Sequence, residues 1–224
     1  MSDTLLATAV SLSLATITTV LLLLMSPPLA WWLARTRSRA RSLVEALVAL
    51  PLVLPPTVIG FYLLLAMAPD GFLGAGWHAA TGQALAFSFS GLVIGSLLYS
   101  LPFVVQPLSA SFRTVDPGLL EAAAALGADP RRRFLTLILP MHRRALLAAA
   151  VLGFAHTVGE FGIVLMIGGN IPGKTRVVST QIYGHVEAME YAQAHWLAGG
   201  MVLFSFVVLL CLALLKNRGS RVLP

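Results

Sequence analysis

Asp116-Pro117-Gly118-Leu119-Leu120-Glu121-Ala122-Ala123-Ala124-Ala125-Leu126-Gly127-Ala128-Asp129-Pro130, running on through Arg131-Arg132-Arg133 to Leu137-Ile138-Leu139-Pro140, contains the same helix start twice. An aspartate at the cap position accepts the orphan amide hydrogens of a first turn, and proline at the first helical position has none to offer. Gly118 to Leu126 therefore continues one short helix. Gly127 is placed to end it in the left-handed conformation that glycine adopts without strain. The second Asp-Pro starts another helix through Arg131 to Leu139, which Pro140 is expected to interrupt. The segment reads as two short helices joined by a tight turn.

The flanks say where that pair sits. A membrane-spanning helix needs about 20 apolar residues at a rise of ~1.5 Å each. Five stretches qualify, roughly 5–33, 43–68, 84–108, 145–167 and 195–215, and the helix pair falls between the third and the fourth. Of 224 residues 58% are hydrophobic and 11% charged, with a mean hydropathy of +0.86, where a soluble domain carries roughly 25% charged residues. No core of this size hides such runs, so water-soluble, disordered and fibrous classes are excluded and the bilayer is the solvent. Only Ser2, Asp3 and Thr4 separate the first methionine from the first stretch. Without a basic leader, and too long for a signal core, that stretch reads as a retained span. Cys211 is the one cysteine, so one chain builds neither a disulfide nor a thiolate zinc cage.

Lys and Arg concentrate in short cytoplasmic loops. Here Arg35, Arg37, Arg39 and Arg41 follow the first span, Arg113, Arg131, Arg132, Arg133, Arg143 and Arg144 follow the third, and Lys216, Arg218 and Arg221 form the tail. Of the fifteen basic residues only Lys174 and Arg176 fall elsewhere. Five spans with the N-terminus outside and the C-terminus in the cytoplasm satisfy this pattern. Anionic lipid headgroups account for the basic pI of about 10.2 without nucleic acid. No repeat or linker divides the chain, so residues 1–224 read as a single transmembrane domain with a cytoplasmic loop, 109–143, and an outer loop, 168–194.

Glu121-Ala122-Ala123, then Gly127, then Leu137-x-Leu139-Pro140 resembles the EAA loop of ABC importer permeases, with Leu137 where that pattern usually has Ile. The swap conserves volume. The resemblance implies that these seven residues dock in a cleft of a separate ATPase subunit and pass its ATP-driven closure to the spans. A basic loop resting on headgroups explains the arginines but not the repeated Asp-Pro and the glycine. A helix-turn-helix DNA reader has no third helix to form a core within about 35 residues between spans.

Gly168-Gly169-Asn170-Ile171-Pro172-Gly173-Lys174-Thr175 satisfies the P-loop pattern letter for letter. That mechanism needs a strand before it, a helix after it and an acid at the end of an apolar strand for magnesium. None of Asp3, Asp70, Asp116, Asp129, Glu45, Glu121, Glu160, Glu187 and Glu190 follows such a run, and the loop falls on the outer face, so ATP binding here is rejected. The segment instead resembles molybdate-type permeases, through Gly159-Glu160-Phe161-Gly162 followed by Ile167 to Arg176, and through Leu50-Pro51-Leu52-Val53-Leu54-Pro55-Pro56-Thr57. Sulfate permeases share a related Glu-Phe-Gly element.

Pro51, Pro55 and Pro56 each remove an amide donor, so the second span is expected to break near its middle, which the bilayer tolerates only against protein or a wet cavity. A helix restarting near Thr57 would aim its positive end at an anion; the bland alternative is a packing kink. No basic residue lies deep in a span, so a divalent oxyanion would cross among dipoles and hydroxyls. His156 and Glu160, four apart, are expected on one face of the fourth span, either as a gate or as a mutual hydrogen bond that locks packing. Two ligands do not close a zinc site, and an intramembrane protease would need His-Glu-x-x-His. Gly91 and Gly95 permit close helix contact, internal or at a dimer seam. Residues 180–194 read as an amphipathic stretch that either receives a soluble partner or lies on the bilayer.

The expectation is an all-α integral membrane protein of about five transmembrane helices in the type I ABC importer permease arrangement, non-catalytic, in the plasma or inner membrane. The resemblance implies a homodimer, a cytoplasmic ABC ATPase dimer that carries ATP and Mg, and an extracytoplasmic oxyanion-binding protein. The chain itself holds no cofactor, metal or nucleic acid. Pro55, Pro56, Thr57, His156 and Glu160 are its pathway or gate candidates, and Gly169, Asn170, Pro172, Gly173, Lys174 and Arg176 its outer loop. Molybdate is the expected cargo; a sulfate or tungstate permease, a membrane-anchored helix-turn-helix sensor and an intramembrane enzyme are the competing readings.

Overall fold

The computed structural model describes residues 3–220, with side chains through Leu214; Arg221 lies outside them, as do the side chains of Lys216 and Arg218. Twelve α-helices and one π-helical turn follow one another, and the described residues contain no strand. Helix α1 (Asp3–Arg35) runs unbroken through Pro27 and Pro28. Helices α2 (Ala40–Val53) and α3 (Pro56–Met67) follow, then the short α4 (Gly74–Thr81) and the long α5 (Phe89–Phe112). The helix pair comes next, as α6 (Pro117–Ala125) and a second helix made of α7 (Pro130–Arg132), a π-helical turn (Arg133–Ile138) and α8 (Leu139–Met141). Helices α9 (Arg143–Gly159), α10 (Gly162–Gly168), α11 (Val178–Glu187) and α12 (Tyr191–Ser220) complete the chain. By length and composition α1, α5 and α12 each suffice to cross a membrane, and the total reaches five if the bent pairs α2 with α3 and Pro130–Met141 with α9 each count once.

Helices α1, α5 and α9 pack together as the centre of the bundle, and α10 bridges α3 to α5. Two apolar clusters lie along it. Near the arginine-rich end Leu22, Ala30 and Leu33 meet Val104, Leu108, Phe112, Ile138 and Ala149; at the other end Leu14 meets Leu63, Met67, Leu92, Ile163 and Ile167. Apolar burial brings helices together weakly in lipid, so close approach of small residues has to supply the contact. Gly153 faces Val104, and Gly95 faces Ile163 and Ile167 of α10. The Gly91/Gly95 motif is therefore spent inside the chain rather than on a dimer seam.

The second span breaks where the prolines stand. Leu54 is extended, as a residue before proline tends to be, and α3 restarts at Pro56 after a turn of 111° between the axes. Pro51 stays inside α2. The fourth span differs from the expected continuous helix over 145–167. Helix α9 ends at Gly159, Glu160 is extended with ψ 133°, and α10 begins at Gly162. Glycines on both sides of Glu160-Phe161 let the backbone turn, and the ring of Pro56 packs so closely on Gly162 that a Cβ there would come within 2.6 Å of the proline. The two breaks thus abut.

Pro140 does not interrupt its helix. The preceding turn widens to π spacing, which relieves the clash of a proline ring with the carbonyl four residues back, and the chain bends only at His142, whose Nδ1 approaches the Ile138 carbonyl at 2.8 Å. The loop expected from residue 109 begins later, since α5 continues to Phe112 with Ser109 buried. Residues 180–194 do not simply lie on a surface: Thr180 and Gln181 are buried, and α11 packs on α12 and α1.

Candidate functional site

Three features hold the residues singled out above. The first is the projecting helix pair. Asp116 Oδ1 accepts the Gly118 amide at 2.9 Å and Asp129 Oδ1 the Arg132 amide at 2.7 Å. Gly127 adopts φ +81° between the helices. Both capping expectations and the glycine turn hold. Arg133 ties the pair together by donating to the Leu120 carbonyl at 3.2 Å. The motif splits by role: Leu137 and Leu139 pack against the cluster around Phe112 and Ile138, while Glu121, Ala122 and Gly127 are exposed, Ala123 is half-buried and Leu126 is 89% exposed. Helix α6 is an uncovered knob on a seated base.

The second feature is a cavity of about 520 Å³ where the two breaks meet, lined by Pro56, Thr57, Tyr99, His156, Glu160 and Phe161 among others. Pro55 caps the start of α3 at its edge. His156 and Glu160 do not bond each other, because the helix ends between them. Each reaches α5 instead. Ser96 Oγ donates to Glu160 Oε2 at 2.9 Å, and Ser100 Oγ lies 2.9 Å from both His156 Nδ1 and Thr157 Oγ1. Thr157 donates to the Gly153 carbonyl. A hydroxyl has one proton to give, so the chain is satisfied when His156 Nδ1–H donates to Ser100, Ser100 to Thr157 and Thr157 to the backbone. The His156 ring also stacks on Phe103, centroids 3.8 Å apart, and leans on Tyr99. Serines at 96 and 100, one turn apart on α5, were the missed partners. Glu160 is 4% exposed and its Oε1 has no partner. No Lys or Arg among the described residues lines the cavity, and Thr57 stands exposed at the start of α3.

The third feature is the turn after α10. Gly169, Asn170 and Gly173 all have positive φ. Thr175 Oγ1 donates to the Gly168 carbonyl at 2.6 Å and accepts the Ile171 amide at 3.0 Å, while the amides of Lys174, Thr175 and Arg176 converge on the Ile171 carbonyl. A P-loop points such amides at phosphate and its hydroxyl at magnesium. Here both close on the chain itself, after a helix instead of a strand, so the letter-for-letter match is not a nucleotide cradle. Arg176 Nε donates to Asn170 Oδ1 at 3.2 Å, and Arg176 Nη1 lies 3.8 Å from Asp3 Oδ2. These three, with Gln181, His185, Trp196 and Leu197 among others, line a cavity of about 540 Å³. Gly173 and Lys174 line a separate trough along α1, and Pro172 is exposed.

Several arginines counted only for topology are structural. Arg35 stacks over Trp31 at 5.1 Å and donates to the Val115 carbonyl at 2.7 Å, and Arg41 and Arg113 both bond Glu45.

Comparison with known proteins gives one family and one fold. The family described as "Binding-protein-dependent transport system inner membrane component" matches residues 26–218. The chain is 60% identical over 206 residues, 92% of it and 91% of the relative, to the molybdenum transport system permease protein ModB of Azotobacter vinelandii. It is 37% identical over 154 residues, 69% of it and 67% of the relative, to ModB of Escherichia coli K12. It is 33% identical over 193 residues, 86% of it and 69% of the relative, to the sulfate transport system permease protein CysT of the same organism. Among solved structures, a bacterial alginate ABC transporter in complex with an alginate-bound periplasmic protein superposes with a TM-score of 0.78 at 16% identity, over 99% of this chain and 81% of that one. At that identity the match establishes the fold.

Proposed function

This chain belongs to the family of binding-protein-dependent transport system inner membrane components, and we propose that within it the chain is the permease that carries molybdate inward by ATP-driven alternating access. The observation that carries the cargo is the 60% identity to a molybdenum permease along almost the whole of both chains. The permease makes and breaks no covalent bond. ATP and Mg belong to a separate cytoplasmic ATPase dimer, which takes the exposed α6 into its cleft, with Glu121 as the charged anchor and Leu137, Leu139 and Pro140 seating the knob on the spans. An oxyanion-binding protein delivers cargo at the outer end.

Two copies complete the pathway, since the cavity between the breaks lies partly open at the surface of a single chain. Residues 1–224 act as one transmembrane domain, N-terminus outside and C-terminus in the cytoplasm, in the plasma membrane or the inner one of two. Along the path the start of α3 at Pro55, Pro56 and Thr57 offers the positive end of a helix dipole to the anion, and hydroxyls stand in for salt bridges. Weak contact of this kind suits passage. His156 and Glu160, each tied to α5 at the break, are the gate.

Uptake of labelled molybdate by cells lacking and then regaining this chain tests the reading. Restored uptake that resists excess sulfate is the expected result. Uptake abolished by sulfate favours the second reading, a sulfate permease, which the 33% identity to CysT supports. No restoration with the ATPase still co-purifying discards the oxyanion and keeps the permease.

A further inference from the structure

Helix α11 touches both residues of the break in the fourth span. The Ser179 hydroxyl donates to the Glu160 carbonyl, which is free to accept because the extended backbone there takes it out of the helical ladder. One turn further on, the Tyr183 ring packs on Phe161, centroids 5.1 Å apart. Residues four apart share a helix face, so a single face of α11 rests on Glu160-Phe161. The helix start is anchored separately, by the Val178 amide on Ser11 of α1 at 2.8 Å. Its far end runs through the exposed residues Val186 and Glu187 into the turn to α12, where His185 Nδ1 lies 2.6 Å from Glu190 Oε2. Glu160 is thereby a three-way junction, held through its side chain from α5 and through its carbonyl from α11.

We propose that α11 is the lever by which a docked, cargo-loaded binding protein reaches the break in the fourth span, and that Ser179 and Tyr183 are its positioning residues. This rests on the importer reading above. A load on that exposed turn, carried along α11 from the Val178–Ser11 anchor, displaces Glu160 and Phe161 together. Neither residue touches the ATPase-facing helix pair, so their loss severs the signal without impairing the motor.

The test uses the assembled permease with its ATPase in lipid nanodiscs, comparing ATP hydrolysis alone and with saturating molybdate-loaded binding protein. In Ser179→Ala and Tyr183→Ala the basal rate is expected within about twofold of wild type and the stimulation reduced about threefold to tenfold, the range of one lost hydrogen bond or contact. Ser179→Thr and Tyr183→Phe, which keep the hydroxyl and the ring, restore it. Should Ser179→Ala fail to assemble, Tyr183→Ala carries the same expectation alone. Wild-type stimulation in both alanine variants overturns the lever and leaves the importer standing, as does equal loss in the conservative pair. A wild-type complex that loaded binding protein does not stimulate overturns the importer reading and the lever with it.

Discussion

The Arg113 guanidinium donates to the Glu45 carboxylate at 2.6 Å, joining the end of α5 to the first half of α2, and Arg41 completes the cluster at 3.2 Å. Arg113 stands three residues before the Asp116 cap of the projecting helix pair, and α2 leads to the break at Pro55. The pair is half exposed, so its contribution to stability is small, below about 1 kcal/mol. It links the helix pair to the helix that leads into the break, so its loss is expected to act on transport rather than on stability. Glu45→Gln is expected to leave thermal unfolding unchanged and to reduce molybdate uptake several-fold, with Glu45→Arg/Arg113→Glu recovering part of it.

Glu121 is exposed and bonds nothing in this chain among the described side chains, so Glu121→Ala should leave yield and unfolding temperature as they are. Co-purification of the ATPase is the measurement expected to fall. Gly127→Ala acts differently, because φ +81° strains any side chain and costs about 1 kcal/mol; it should lower both stability and ATPase association.

Thr175 is fully buried and both donates and accepts. Thr175→Val leaves the Gly168 carbonyl and the Ile171 amide unmatched and should destabilise by about 1–3 kcal/mol. Lys174→Ala, which in a true P-loop abolishes hydrolysis, should leave ATP turnover of the assembled complex unchanged.

A methyl group at Gly162 runs into the rigid ring of Pro56. Gly162→Ala should therefore prise apart the two breaks at a cost of about 1–3 kcal/mol and depress uptake. A Cβ added at Gly199 would meet nothing within 4 Å in this chain, so Gly199→Ala, assayed by the same unfolding and uptake measurements, should match wild type.

Cys211 is the single cysteine, which makes the orientation directly measurable. On a Cys211→Ser background, Lys174→Cys in intact spheroplasts is expected to react with a membrane-impermeant maleimide, while Arg131→Cys reacts only after lysis. The reverse pattern would invert the proposed topology.

Local chemistry was legible wherever a backbone preference acts alone. Asp116 and Asp129 cap where an Asp-Pro start predicts, Gly127 turns left-handed, and Pro55-Pro56 breaks the second span. Pro140 failed as a breaker because a π turn upstream absorbed its ring. The break at Glu160 went unseen for the opposite reason: hydropathy runs straight across it, and the only trace was the pair of glycines at 159 and 162.

The sequence by itself determined that this chain lives in a membrane, where its two Asp-Pro helices start and the second span breaks, and which family's loop pattern it resembles, because these follow from composition and from interactions within a few residues. The tertiary structure alone decided the partners of His156 and Glu160, the fate of the P-loop lookalike and the seat of α11. Each of those depends on which hydroxyl or carbonyl a distant helix brings within 3 Å. In an apolar bundle a polar group must take the nearest partner that packing delivers, and sequence spacing does not record it.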